Sequence, residues 1–183
     1  MKRRSVVLAA TILAIALLAG GAWGAVDMFL KMDEIQGESN DDKHKGEIDV
    51  LSWSWAVKTT PGIIGGGGAG AGRPVFSDLT IRKYVDKASP NLFFYSVMGR
   101  DNPTATLTVR KAGGSPIEFF KIKLYNCLVT SVANGGTSAD DRPLEDITLN
   151  YSKIEMTYVP TRPDGSPDAP IMRGFDLTQS KGF

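Results

Sequence analysis

Residues 105–124 read ATLTVRKAGGSPIEFFKIKL. Ala105, Leu107 and Val109 alternate with Thr and Arg, and Phe120, Ile122 and Leu124 alternate with Lys121 and Lys123. Successive side chains of a strand point to opposite faces, so a period of two marks strands with one apolar face each. The pattern recurs on both sides. Val26, Met28, Leu30 and Met32 alternate with Asp27, Lys31 and Asp33, and Leu79 and Ile81 stand opposite Thr80 and Arg82. Ile171, Arg173, Phe175 and Leu177 suit a last strand, after a loop at 160–170 that holds four of the ten prolines. Two runs change face partway. Ile48 and Val50 share one face, but Leu51, Trp53, Trp55 and Val57 share the other. Ile147, Leu149 and Tyr151 are followed by Ile154, Met156 and Tyr158 in the opposite phase, which puts irregularities at Val50-Leu51 and Ser152-Lys153.

One stretch departs from this period. Ser89 is a good N-cap, Pro90 suits the first helical position and Gly99 a C′ position, which predicts a short helix over 89–99. Its apolar residues Leu92, Phe93, Phe94, Tyr95, Val97 and Met98 wrap round it, so it packs on a sheet or between subunits. Seven of the 20 glycines fall between Gly62 and Gly72, forming a long loop, and residues 37–46 form a polar one. About seven strands and one helix predict a mainly β chain, folded as a β-barrel or compact sandwich.

The N-terminus reads separately. Lys2-Arg3-Arg4, an apolar run from Val6 to Ala19 and small residues to Ala25 spell a secretory signal peptide, with cleavage after Gly24. The run is short for a membrane span. Residues 1–24 are therefore expected to be a leader for the general or the twin-arginine route. Residues 25–183 are the exported domain, with no stable membrane span after cleavage. Losing the leader moves the formal charge from +1 to −2.

Few residues point to catalytic or ligand-binding chemistry. Near-neutral charge argues against nucleic acid as a partner. One cysteine, Cys127, and one histidine, His44, exclude a disulfide framework and Cys- or His-rich metal sites. They leave a Cys-His dyad only formally available, and Cys127 inside a strand reads as buried and inert. Gly65, Gly67 and Gly70 match GxGxxG, and Gly67–Arg73 resembles a P-loop, but no helix follows and Arg73-Pro74 replaces Lys-Ser/Thr. Asp41-Asp42 and Asp140-Asp141 read as solvated pairs. No cofactor, metal or catalytic residue is expected. One physical signal remains: residues 27–50 hold eight acidic and three basic side chains, and residues 73–123 nine basic and four acidic. Segregated on the surface, such patches dock one subunit on the next and build rings or filaments.

The stretches VDMFLK (26–31), GESNDDKHKGEIDVLSWSW (37–55), KYVDKASPNLF (83–93), LTVRKAGGSPIEFFKIKL (107–124), VTSVANGG (129–136) and DRPLEDITLNYSKIEMTY (141–158) resemble the haemolysin-coregulated protein (Hcp) family, the tube proteins of type VI secretion systems. The resemblance implies an Hcp-like β-barrel with one helix, hexameric rings stacked into a tube, effectors in the lumen, and a tip protein and sheath as partners. It implies no cofactor and no enzymatic site. By the same analogy Glu38, Asp41, Asp42, Lys43 and Lys45 of the polar loop, and Ile63, Ile64 and Arg73 of the glycine-rich loop, are candidate ring-to-ring contacts. Ser89, Phe93, Tyr95, Lys121 and Lys123 are candidates for the subunit or lumen face. The leader departs from the family's pattern of cytoplasmic assembly. Two readings follow: a type VI tube subunit, or an exported relative that assembles rings or filaments outside the cytoplasm.

Overall fold

The structure, a computed structural model, describes residues 26–59, 72–112 and 116–183. The leader and the loop residues Ile63 and Ile64 lie outside the described residues. In chain order the elements are β1 (Val26–Met32), β2 (Ile48–Asp49), β3 (Ser52–Ser54), β4 (Val57–Thr59), β5 (Pro74–Phe76), β6 (Leu79–Tyr84), α1 (Ser89–Met98), β7 (Asp101–Lys111), β8 (Glu118–Gly135), β9 (Leu144–Asn150), β10 (Lys153–Tyr158), β11 (Ile171–Asp176) and β12 (Lys181–Gly182).

Every ladder is antiparallel. The alternation read from the sequence sets the register: Ile48, Leu30, Leu107, Ile122 and Met156 lie in one cross-strand row. Met32, Ala105, Leu124 and Ile154 form the next. Leu30, Ile48, Leu107, Ile122 and Leu124 are fully buried and join Leu79, Ile81, Ile147 and Leu149 in one core. Burying such a side chain stabilises by about 1.5–3 kcal/mol, which is why the rows stay in phase.

The longest strand, β8, serves two neighbourhoods. Its first half runs between β7 and β10, and its second half pairs with β9. At the handover Asn126 takes a left-handed backbone, φ 51°, a region that asparagine tolerates better than most residues. Its side-chain amide donates to Ser152 Oγ at 2.8 Å, and the Ser152 N–H donates to the Tyr125 carbonyl at 3.0 Å. The bend therefore sits where β9 gives way to β10, at the predicted irregularity.

The other predicted break is also present. The run 47–57 is not one strand: β2 pairs with β1, and β3 pairs with β6. Between them the Val50 N–H donates to Met28 and the Leu51 N–H to Arg82. The sheet curls round the core, yet its ladder is not closed. The arm ending in β1–β2 and the arm ending in β6–β3 share no ladder and meet through the chain and through the core that Ile48, Val50 and Ile81 share; the mainly β architecture with one helix is as expected. Two short features escaped the sequence reading, the β4–β5 hairpin and the edge strand β12.

The helix forms over Ser89–Met98 and ends at Gly99, whose φ of 59° is the left-handed close expected of a C′ glycine. Its start corrects the prediction. Ala88 is the N-cap and makes no side-chain cap bond, while Ser89 is the first helical residue. The Ser89 hydroxyl is held elsewhere, as described below.

Candidate functional site

Three surfaces carry the sequence-predicted residues. The first is the loop joining β1 to β2, which folds back across the outer face of β1. Arg110 on β7 is buried beneath it. Its guanidinium donates to both oxygens of Asp41, at 2.9 and 2.6 Å, and to Asp27 at 2.7 Å. A bidentate charge-assisted contact of this kind fixes orientation as well as position. It holds the Asp41 carboxyl at about 2, from an ordinary 3.8, with the Arg110 hydrogen bond as the main cause. The guanidinium also lies over the Phe29 ring, which stacks on His44 at 4.2 Å. His44 Nδ1 meets Glu47 at 2.9 Å, and Nε2 lies 3.3 Å from Glu118 but poorly aligned for a hydrogen bond. The loop expected to be merely polar is thus pinned by two inward side chains, Ser39 and His44, and one clasp. Glu38, Asp42, Lys43 and Lys45 stay exposed, and Glu38 accepts the Lys87 N–H at 3.0 Å.

The second surface is α1. Leu92 and Tyr95 pack inward, and Tyr95 donates to Glu34, which also takes Arg100 at 2.9 Å. Ser89 is buried in a charged knot. Lys83, fully buried on β6, meets Glu145 at 2.5 Å, Asp86 at 2.7 Å and the Tyr84 carbonyl at 2.7 Å. The Ser89 hydroxyl donates to Glu145 at 2.6 Å, and Asn134 satisfies the other Glu145 oxygen at 3.0 Å. Two charges so far from water hold only when paired and hydrogen-bonded, and these are. Ser89 and Tyr95 therefore point into the protein, not toward a neighbour. The outward face belongs to Phe93, Phe94, Val97 and Met98, of which Phe93 is 59% exposed, Val97 60% and Met98 63%.

The third is the outer face of β8. Lys121 pairs with Glu118 at 2.5 Å, and Lys123 lies over the Tyr125 ring at 5.0 Å. Both remain half-exposed. Arg73, the last candidate, is exposed just before β5. It borders a hollow of about 300 Å³ floored by Phe76 and Phe175.

Folding offsets part of the segregation of charge read from the sequence. Asp27 and Asp41 of the acidic stretch pair with Arg110 of the basic stretch, and Glu34 pairs with Arg100. Cys127 and His44 do not form a dyad: Cys127 belongs to the core, where burial pushes its thiol up to about 12, while His44 packs on Phe29 outside that core cluster. Among the described residues no group of three His, Cys, Asp or Glu could hold a metal, and no helix is long and apolar enough to cross a membrane.

The sequence reading missed Lys83, Glu145 and Arg110. A signal for Lys83 existed: it follows Leu79 and Ile81 at the same spacing, which turns it toward the core. Nothing local marks Arg110, whose partner Asp41 lies 69 positions away.

Comparison with known proteins gives this architecture its relatives. The family described as "Type VI secretion system effector, Hcp" matches residues 29–158. The chain is 42% identical over 158 residues to protein hcp1 of Pseudomonas aeruginosa, covering 85% of this chain and 98% of that one. A solved structure described as a type six secretion system protein is similar at TM-score 0.82 and 32% identity, covering 87% of this chain and 100% of the other. Hcp1 from Salmonella typhimurium is similar at TM-score 0.71 and 36% identity, with 87% and 99% covered. The chain belongs to the Hcp family of type VI secretion system proteins.

Proposed function

We propose that this chain is a structural, non-enzymatic subunit of an Hcp-type hexameric ring, and that the rings stack into a secretion tube carrying small effectors in the lumen. Membership of the family supports the reading. The observation that carries it is the outer face of α1, where Phe93, Phe94, Val97 and Met98 lie side by side in solvent while the inner face is already satisfied. A patch of large apolar side chains on one element is the mark of a surface that meets another protein. The exposed loop residues Glu38, Asp42, Lys43 and Lys45, with Arg73, are the ring-to-ring contacts in this reading, Asp41 acting as their anchor. Lys121 and Lys123 line the lumen or a subunit face. A tip protein and a sheath are the further partners. The test is the assembly state of the purified chain by electron microscopy and size-exclusion chromatography with light scattering. Rings are expected, and a monomer at millimolar concentration overturns the proposal.

A second reading rests on the leader. Lys2-Arg3-Arg4 and the apolar run that follows favour export before assembly, so that rings or filaments form outside the cytoplasm without a sheath. N-terminal mass spectrometry of the fractionated native protein separates the two. A start at Ala25 outside the inner membrane supports export, and a start at Met1 in the cytoplasm supports the ordinary tube.

A further inference from the structure

A polar hollow of about 510 Å³ opens between the end of β1, the clasped loop and the turn before α1. Lys31, Lys43, Lys45 and Lys87 line it, all four exposed and none within ion-pair distance of a carboxylate among the described residues. The two carboxylates at its rim face other groups: Asp33 accepts the Thr104 hydroxyl at 2.9 Å and Glu47 contacts His44. With Glu38 counted as well, whose carboxylate accepts the Lys87 N–H at the wall, the hollow keeps four ammonium groups against three carboxylates. Its walls are fixed by the Arg110 clasp on one side and by the Glu38–Lys87 contact on the other. A preformed cleft with converging, unsatisfied ammonium groups is built to receive carboxylates.

The chain carries a matching projection. Of its adjacent carboxylate pairs, Asp33–Glu34, Asp41–Asp42 and Glu145–Asp146 each commit a member to an internal arginine or lysine. Asp140–Asp141, at the tip of the β8–β9 hairpin, commits neither among the described residues. The tip is exposed and pre-shaped. Asp140 accepts the Thr137 N–H and hydroxyl, each at 3.0 Å, and its own N–H donates to the Thr137 carbonyl at 3.1 Å. Arg142, the nearest cation in sequence, is turned onto the Tyr84 ring at 4.2 Å.

We infer that the lysine cleft is a docking site for the Asp140–Asp141 tip of a second copy of this chain. The inference rests on the self-assembly proposed above and names the contact that drives it. Cleft and tip are different patches on different strands, so the contact is heterologous and, in keeping with the ring-to-ring role given to Lys43 and Lys45, repeats from one ring to the next.

Two charge reversals of the full chain test it. Lys43→Glu with Lys45→Glu makes the cleft acidic, and Asp141→Lys, which breaks no internal bond, neutralises the tip; only with Asp140→Lys as well does the tip become basic. Asp140→Lys is added in a second tip variant. Circular dichroism and thermal melts check that each folds. At low salt each reversal is expected to raise the half-assembly concentration roughly tenfold or more, and the difference to shrink at about 0.5 M salt, where screening is short-ranged. Mixed in equal amounts, the cleft-reversed and tip-reversed chains are expected to assemble together, because each cleft then meets a tip of opposite sign. If the unaltered chain assembles and the folded reversals assemble equally well, the docking contact is wrong but the tube reading stands. The contact is equally overturned if both reversals fail and the mixture does not rescue them. If the unaltered chain never assembles, the tube reading itself falls and takes the contact with it.

Discussion

Lys83 sits where alternation demands an apolar residue, and its ammonium is accommodated only by Glu145, Asp86, Ser89 and the Tyr84 carbonyl. Lys83→Met leaves Glu145 charged, buried and short of its cation. The expected loss is about 3–5 kcal/mol in urea unfolding, because one half of a buried pair is worse than none. Removing both, as Lys83→Met with Glu145→Leu, is expected to recover most of it; equal losses in the single and double variants contradict the pairing. The Asp41–Arg110 clasp makes a pH prediction of definite sign. The folded Asp41 carboxyl titrates at about 2, below its ordinary 3.8. Its contribution is therefore complete above about pH 4 and lost as pH falls toward 2. Protection of the amides in residues 37–47, taken relative to their intrinsic exchange rates, should fall over that window, and Asp41→Asn should lack that protection already at neutral pH.

Elements tell a related story about bends. Asn126 holds the left-handed bend that lets β8 leave β10 and meet β9. Asn126→Gly is expected to keep the fold at nearly unchanged stability, whereas Asn126→Val should cost about 1–3 kcal/mol by thermal melts, because a β-branched residue is strained there. On α1, Phe93→Ser with Val97→Ser removes area that the single chain does not bury. Monomer stability should move by no more than about 0.5 kcal/mol per site while assembly weakens, measured by melting and light scattering side by side. These elements also mark how far the sequence could be read. Strands such as 105–109 and 120–124 were legible because one face is core and period two leaves no freedom of phase. The breaks at Val50-Leu51 and Ser152-Lys153 were legible because the apolar face switches there. The β4–β5 hairpin and β12 are too short to show a period. Ser89 looked like a cap because Pro90 follows it, but it is the first helical residue, and its hydroxyl accepts the Asp86 N–H and donates to Glu145, 56 residues away. Of the candidate residues, the loop lysines and Phe93 stand outward. Ser89 and Tyr95 do not, because amphipathicity in so apolar a helix does not identify the buried side.

At the scale of the molecule, the acidic and basic stretches of the sequence meet inside one subunit. Charges without an internal ion-pair partner remain on the surface, and the cleft lysines and the Asp140–Asp141 tip are among them. The core rows, the Arg110 clasp and the Lys83 knot brace most of the perimeter. One place is different. Between β2 and β3 the chain passes from one arm of the sheet to the other without a ladder across the gap, held by the single bonds from Val50 and Leu51. We expect that gap to behave as an expansion joint, the girth of the subunit changing by rotation about Val50–Leu51 while every ladder stays whole. Amide exchange at Val50 and Leu51 running ahead of Leu30 and Ile81 would be its signature.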